Sequence, residues 1–385
     1  MYKIPLSVPS IKGNELKYVR DCLDKEWVSS AGQYVDLFEK KIAQYTNVKY
    51  SIACVNGTAA LQVSIRLSGV KPGEEVIVPS LTFIAPVNAI VYNGAIPLFM
   101  DSDDYYNIDA EKTIQFIENE TIFKNGLTYN KKTNNVISAI IPVHIWGNAC
   151  WLDELAMLCK KRSIAIIEDA SESLGTIYSK GNYEGKHTGT VGVLGCLSFN
   201  GNKIITTGGG GMILTNDESL AEKAKYLTTQ AKDDTVRYIH NEIGYNFRLT
   251  NIQAALGVAQ LEQLPKFIKK KQEIHNYYKD GIDNIDGLSI SEGPDFADNN
   301  YWINVLQIDR DVYDEDREGL MDRLEHKGIQ TRPVWKLNHL QKPYIKHQNY
   351  KVENSNRLVE NSLCLPSSFN LSNADLNEVL NELDG

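Results

Sequence analysis

The chain has 385 residues, enough for a large core and two domains, and its 42% hydrophobic and 23% charged residues are ordinary for a globular protein. Forty Lys and Arg against 49 Asp and Glu leave a formal net charge of -9, which argues against nucleic-acid binding as the main business and requires any anion site to be built locally from placed groups. The six cysteines form no C-x-x-C pair, the opening MYKIPLSVPS has no apolar h-region, and no apolar run is long enough to span a bilayer. The expectation is reduced thiols in a cytoplasmic protein, with no metal site and no membrane partner.

In chain order, "CVNGTAALQ" reads as a strand end, a turn and a helix that runs through "TAALQVSIRLSG". Short β-branched apolar runs follow at "EVIVPS" (75–80), "AIPLFMD" (95–101), "VISAIIPVH" (136–144), "IAIIEDA" (164–170), "CLSFN" (196–200) and "GMILTN" (211–216). Nearly unbroken apolar runs of that length suit strands buried on both faces. Helical patterns such as "WLDELAMLCKKRS" lie between them, and the alternation predicts an α/β chain with a mostly parallel sheet covered by helices. Residues 123–135, "FKNGLTYNKKTNN", are polar and turn-rich and read as a surface loop or excursion before a strand, not as a domain boundary. From 249 to 282 one or two long helices are expected, with Lys266 to Lys271 as a solvated basic face. Beyond about Asp280, "NNYWINVLQID" reads as a strand and "EDREGLMDRLEHKG" as a helix, so residues 1–255 are assigned to a large α/β domain and 256–385 to linking helices and a smaller α+β domain.

Ligands of such sheets collect at strand carboxyl ends and the helix N-termini that follow. Lys203 stands just past a predicted strand, in "FNGNKIITTGGGG". A surface lysine is the commonest fate of that residue, but the glycines behind it allow close backbone approach, and a lysine drawn into a cleft becomes nucleophilic. A phosphate-binding P-loop is ruled out: Ile204 follows Lys203 where Ser or Thr is needed, and "GNYEGKHTG" has the wrong spacing. Asp169 ends an apolar strand, where a helix N-cap is the ordinary role. Beside a later lysine it is also the acid that keeps a ring nitrogen protonated, which is what pyridoxal phosphate requires of its protein. Gly57 and Thr58, at a predicted helix N-terminus, and the hydroxyl of Ser198 suit the cofactor's phosphate, and Phe83 suits one face of its ring.

Together "FNGNK…TTGGGG", "EDASESLG", "NGTAAL", "TFIAPVNAI" and "GYNFRLTNIQAALGVAQLEQL" resemble the DegT/StrS family of nucleotide-sugar aminotransferases over nearly the whole chain. The resemblance implies an aspartate-aminotransferase-like fold (pyridoxal phosphate fold type I) with a seven-stranded type of sheet, and a homodimer with shared active sites. It implies that Lys203 is the Schiff-base lysine and proton shuttle, that Asp169 pairs with the ring nitrogen, and that Glu172 lies near the cofactor's phenolic oxygen. Asn246 would reach the phosphate from the other subunit, and Trp27 would lie on the substrate side. L-glutamate is the implied amino donor. The segments "GIQTRPVWKLNHLQ" and "TTQAKDD" resemble the bacillosamine- and legionaminic-type enzymes, which implies transfer to C4 of a UDP-linked 2-acetamido-4-keto-6-deoxyhexose in surface-glycan synthesis, with Arg332, Lys336 and His339 toward phosphates and sugar hydroxyls. The alternatives are 3- or 4-amination of a dTDP- or GDP-linked keto sugar, and a non-catalytic sugar-sensing protein on the same fold, which intact Lys203 and Asp169 argue against.

Overall fold

The computed structural model describes residues 2–234 and 236–385. A ten-stranded sheet forms its centre, wider than the expected seven. Its main path runs Tyr50–Cys54, Gly211–Thr215, Leu194–Ser198, Ala165–Asp169, Val136–Ile140, Glu75–Pro79, Ile96–Met100 and Asn349–Tyr350. From Leu194–Ser198 onward neighbours on this path are parallel, whereas Gly211–Thr215 runs antiparallel to both of its neighbours.

Both faces are covered, as the unbroken apolar runs require. Alternate residues serve opposite sides. Ile52, Cys54 and Ile213 pack with Leu61 and Ile65 of the helix Gly57–Leu67. Ala53, Met212 and Leu214 pack with Phe38 and Ile42 of the helix Gln33–Thr46 and with Ala254 and Val258. A second, four-stranded antiparallel sheet is ordered Leu288–Ile290, Asn304–Ile308, Ser362–Leu365, Arg332–Pro333.

One helix, Asn251–Ile282, connects the two sheets. A capping box closes its start: the Thr250 hydroxyl and the Gln253 side chain each engage the other's backbone. It continues through Pro265, and the division drawn between 255 and 256 falls inside it. Its first turns pack against the large sheet, while Ile274, Tyr278 and Ile282 pack in the C-terminal core. Among the described residues no helix is long and apolar enough to cross a membrane.

Two expectations need correction. The stretch 123–135 is not a plain loop: Thr121–Lys124 and Leu127–Asn130 form a hairpin that adds antiparallel to Val136–Ile140. The turn is Asn125-Gly126, both with positive φ (55° and 76°), a strong short-range hairpin signal. The hairpin is tied down by Glu75, which is 2% exposed and accepts from Asn130 Nδ2 (2.7 Å) and the Thr133 hydroxyl (2.7 Å). Nor is the basic stretch solvated throughout: Lys271 is buried, and its amine donates to the carbonyls of Trp302 (2.7 Å) and Ser367.

Candidate active site

The carboxyl ends of the parallel strands open onto a cavity of about 490 Å³. Gly57, Thr58, Phe83, Asp169, Glu172, Ser198, Lys203 and Arg332 all line it.

Its floor is the start of the helix Gly57–Leu67. Asn56 caps this helix, its Oδ1 accepting the Ala59 N–H at 2.8 Å, which leaves the N–H groups of Gly57 and Thr58 outside the helical ladder. A Cβ on Gly57 would lie 2.9 Å from Ser198 Cβ and 3.3 Å from Ser171 Oγ. Glycine therefore lets the helix end nest against the end of the strand Leu194–Ser198. The four-glycine run solves a matching problem. A Cβ on Gly211 would lie 2.4 Å from the Asn56 carbonyl oxygen and 2.7 Å from Gly57 N, so the strand Gly211–Thr215 can pass the helix start only without a side chain there.

Asp169 ends Ala165–Asp169 and is 4% exposed, its Oδ1 accepting the Ser171 N–H at 3.0 Å. Burial pushes its carboxyl above the ordinary range, and Ser171 and Lys203 offset this only in part. Glu172 is buried too. Its Oε1 accepts from Lys203 Nζ at 3.0 Å and its Oε2 from the Trp146 N–H at 2.9 Å, and burial again leaves the carboxyl raised.

A wall of aromatic rings completes the cavity. Trp146, with φ 53°, stacks on Trp335 at 5.3 Å, and Trp335 meets Phe83 edge-on at 6.1 Å. Phe83 is 54% exposed and lines the cavity. Arg332 is exposed, and its Nη1 donates to the Thr331 carbonyl at 2.9 Å.

Four expected residues lie elsewhere in the chain. Trp27 is 56% exposed and borders a separate small pocket beside Cys22 and Asn251. Asn246 is exposed, in a bridge with Thr229. Lys336 is exposed beside Trp335 without reaching the cavity wall. His339 is outside the cavity lining: its ring is buried, Nδ1 lies 2.6 Å from the Ser80 hydroxyl, and burial lowers its pKa.

Several residues escaped the sequence. Trp302 lies under Lys203, with Nζ 4.0 Å from its ring centroid, and Trp146 and Trp335 were not singled out. Glu168 points away from Asp169, as strand alternation requires. It accepts His144 Nε2 at 2.9 Å and the N–H groups of Gly189, Val191 and Gly192. Burial raises this carboxyl, but His144 and the amides outweigh burial and hold it below its ordinary range. Its position just before Asp169 in "EDASES" was the available signal.

Helix N–H groups, two hydroxyls, a buried carboxyl, an amine and an exposed aromatic ring thus share one cavity. That donor set fits a phosphorylated aromatic aldehyde with a basic ring nitrogen, as pyridoxal phosphate is.

A model of the DegT/DnrJ/EryC1/StrS aminotransferase family matches residues 9–384. The chain is similar to the GDP-perosamine synthase of Escherichia coli O157:H7, 39% identical over 97% of this chain and 95% of that protein. It is similar to EpsN of Bacillus subtilis (strain 168), 36% identical over 99% of this chain and 95% of that protein. A crystal structure of a DegT DnrJ EryC1 StrS aminotransferase from Brucella abortus superposes with a TM-score of 0.86 at 28% identity, covering 96% of this chain and 94% of the other.

Proposed function

The chain belongs to the DegT/DnrJ/EryC1/StrS aminotransferase family and is a pyridoxal phosphate-dependent sugar aminotransferase; from that premise we propose that it moves an amino group from L-glutamate to C4 of a GDP-linked 4-keto-deoxyhexose. The observation that carries the choice of nucleotide is the 39% identity to a GDP-perosamine synthase across almost the whole length of both proteins. A second reading, a UDP-linked 2-acetamido-4-keto sugar, is favoured by the resemblance of "GIQTRPVWKLNHLQ" to bacillosamine- and legionaminic-type enzymes.

The bound cofactor supplies an electron sink that makes the donor's α-hydrogen acidic enough to remove. In the proposed mechanism the chain does the rest. The Gly57 and Thr58 N–H groups and the Ser198 hydroxyl hold the phosphate. Phe83 covers one ring face. Asp169 keeps the ring nitrogen protonated, and a cation there would relieve the upward push that burial gives its carboxyl. Lys203 Nζ takes the proton from the donor's α-carbon and, in the second half-reaction, supplies one to sugar C4. Glu172 aims Nζ from 3.0 Å and is itself aimed by the Trp146 N–H. Arg332 pairs with the nucleotide diphosphate at the cavity mouth.

Asn246 and Trp27, off the cavity of their own chain, reach a site only in a homodimer, which is the assembly we propose. Val236 (81% exposed), Tyr238 (71%) and Ile243 (79%) lie in the same segment as Asn246 and suit burial against a second copy.

Turnover with 15N-labelled L-glutamate, offered GDP- and UDP-linked 4-keto sugars separately, tests the substrate. The expected result is 15N at C4 of the GDP-linked product at the higher kcat/KM. Faster turnover of the UDP-linked acetamido sugar would transfer the assignment to the second reading.

A further inference from the structure

Lys203 has to stand somewhere whenever it is not joined to the cofactor. We propose that Trp302 is that seat: a positioning residue whose indole face, together with Glu172, holds the free Lys203 amine between half-reactions. This rests on Lys203 being the lysine that carries the cofactor.

Lys203 Nζ lies 4.0 Å from the centroid of the Trp302 ring and 3.0 Å from Glu172 Oε1. The carboxylate attracts an ammonium by charge, and the indole attracts it by the negative face of its quadrupole. The lysine side chain is 13% exposed, so neither attraction is spent on bulk water.

The platform is anchored on three sides. Its indole N–H donates to the carbonyl of Asn202 at 2.7 Å, the residue just before Lys203, which ties the ring to the segment carrying the lysine. Its backbone N–H donates to Asn300 Oδ1 at 2.9 Å. Asn300 Nδ2 in turn donates to the carbonyl of Glu172 at 2.9 Å, so one amide side chain registers the ring against the carboxylate's own backbone. The Trp302 carbonyl accepts from the buried Lys271 amine at 2.7 Å. A tryptophan serving only as core needs a partner for its indole N–H and nothing more. Here every polar atom of Trp302 is engaged, and two of the contacts lead back to the lysine or its carboxylate.

Two substitutions separate a seat from packing. Trp302→Phe keeps an aromatic face but loses the bond to Asn202, and Trp302→Leu keeps apolar bulk but loses the face. The apoprotein's uptake of pyridoxal phosphate is followed by growth of the visible band, and the holoenzyme's two half-reactions by stopped flow, with melting temperatures alongside. Expected is a slowing of uptake and of both half-reactions by about tenfold in Trp302→Leu, with KM for L-glutamate within about twofold of wild type and most of the loss recovered in Trp302→Phe. Wild-type rates in Trp302→Leu would overturn the inference, as would equal slowing in both variants in step with melting temperature. A wild-type protein that forms no band would overturn the Lys203 reading, and this inference with it.

Discussion

Asp169 and Glu172 are both buried and both raised by that burial, yet only Glu172 has a cation beside it at hydrogen-bond distance. Asp169 faces a cavity with one backbone N–H partner, so it suits a cationic ligand atom. Asp169→Asn is expected to retain bound cofactor while the half-reaction with L-glutamate falls by roughly 10² to 10⁴, because an amide cannot balance a protonated ring nitrogen. Stopped-flow rates on the loaded variant check this, and a loss under about threefold would reject the pairing. A second prediction concerns His187. Its ring is buried, with Nε2 accepting the Gly175 N–H at 2.6 Å and Nδ1 2.7 Å from the Thr188 carbonyl, and burial lowers its pKa from 6.5 to about 4. As pH falls below 6.5 the unfolded chain takes up a proton that the folded chain refuses until about pH 4. Stability is therefore complete above that window and drops by about 3 kcal/mol across it. Denaturant titrations at pH 7 and pH 4.5 should show a smaller drop in His187→Gln than in wild type.

At the level of elements, close approach of backbones builds the phosphate cup. Gly211→Ala would push a Cβ to 2.4 Å from the Asn56 carbonyl, and Gly57→Ala would push one to 2.9 Å from Ser198 Cβ. Each should cost about 1–3 kcal/mol and weaken cofactor binding, Gly211→Ala the more because its obstacle is backbone. Thermal melts with and without pyridoxal phosphate would show whether the stabilisation by cofactor shrinks. In the hairpin the same kind of change acts differently: Gly126→Ala, at φ 76°, should cost about 1 kcal/mol and leave kcat unchanged, since residues 121–130 line no part of the cavity. The parallel strands were legible from their sequence because burial on both faces leaves unbroken apolar runs. The hairpin was not, because its strands are only four residues each and leave Ile122, Phe123 and Leu127 exposed, so no buried apolar run marks them and only the Asn125-Gly126 turn announced it. Lys271 was misjudged for a related reason: a basic run on a helix reads as solvated, and only the packing of the second sheet against that helix buries one member of it.

Across the whole molecule, the residues read from local motifs, Gly57, Thr58, Phe83, Asp169, Glu172, Ser198 and Lys203, meet in one cavity, because each follows a strand or opens a helix on the same edge of the sheet. Of the residues that escaped, Trp302 and Trp335 come from the C-terminal part, and nothing in their own neighbourhood says which strand ends they will face. Trp27 and Asn246 raise the question of a second copy. If Asn246 serves its partner's phosphate, Asn246→Asp should repel it. Coexpressing that chain with Lys203→Ala should then restore about a quarter of wild-type activity, since half of randomly mixed dimers carry one intact site. No restoration in isolated hybrid dimers would place Asn246 in its own chain's business. The most direct test of the central claim is the visible spectrum of the purified protein with pyridoxal phosphate, before and after L-glutamate and then a GDP-linked 4-keto sugar. Expected is a visible band that is absent in Lys203→Ala, is bleached by glutamate and returns with the sugar. A wild type without the band, or a band unchanged by Lys203→Ala, would contradict it.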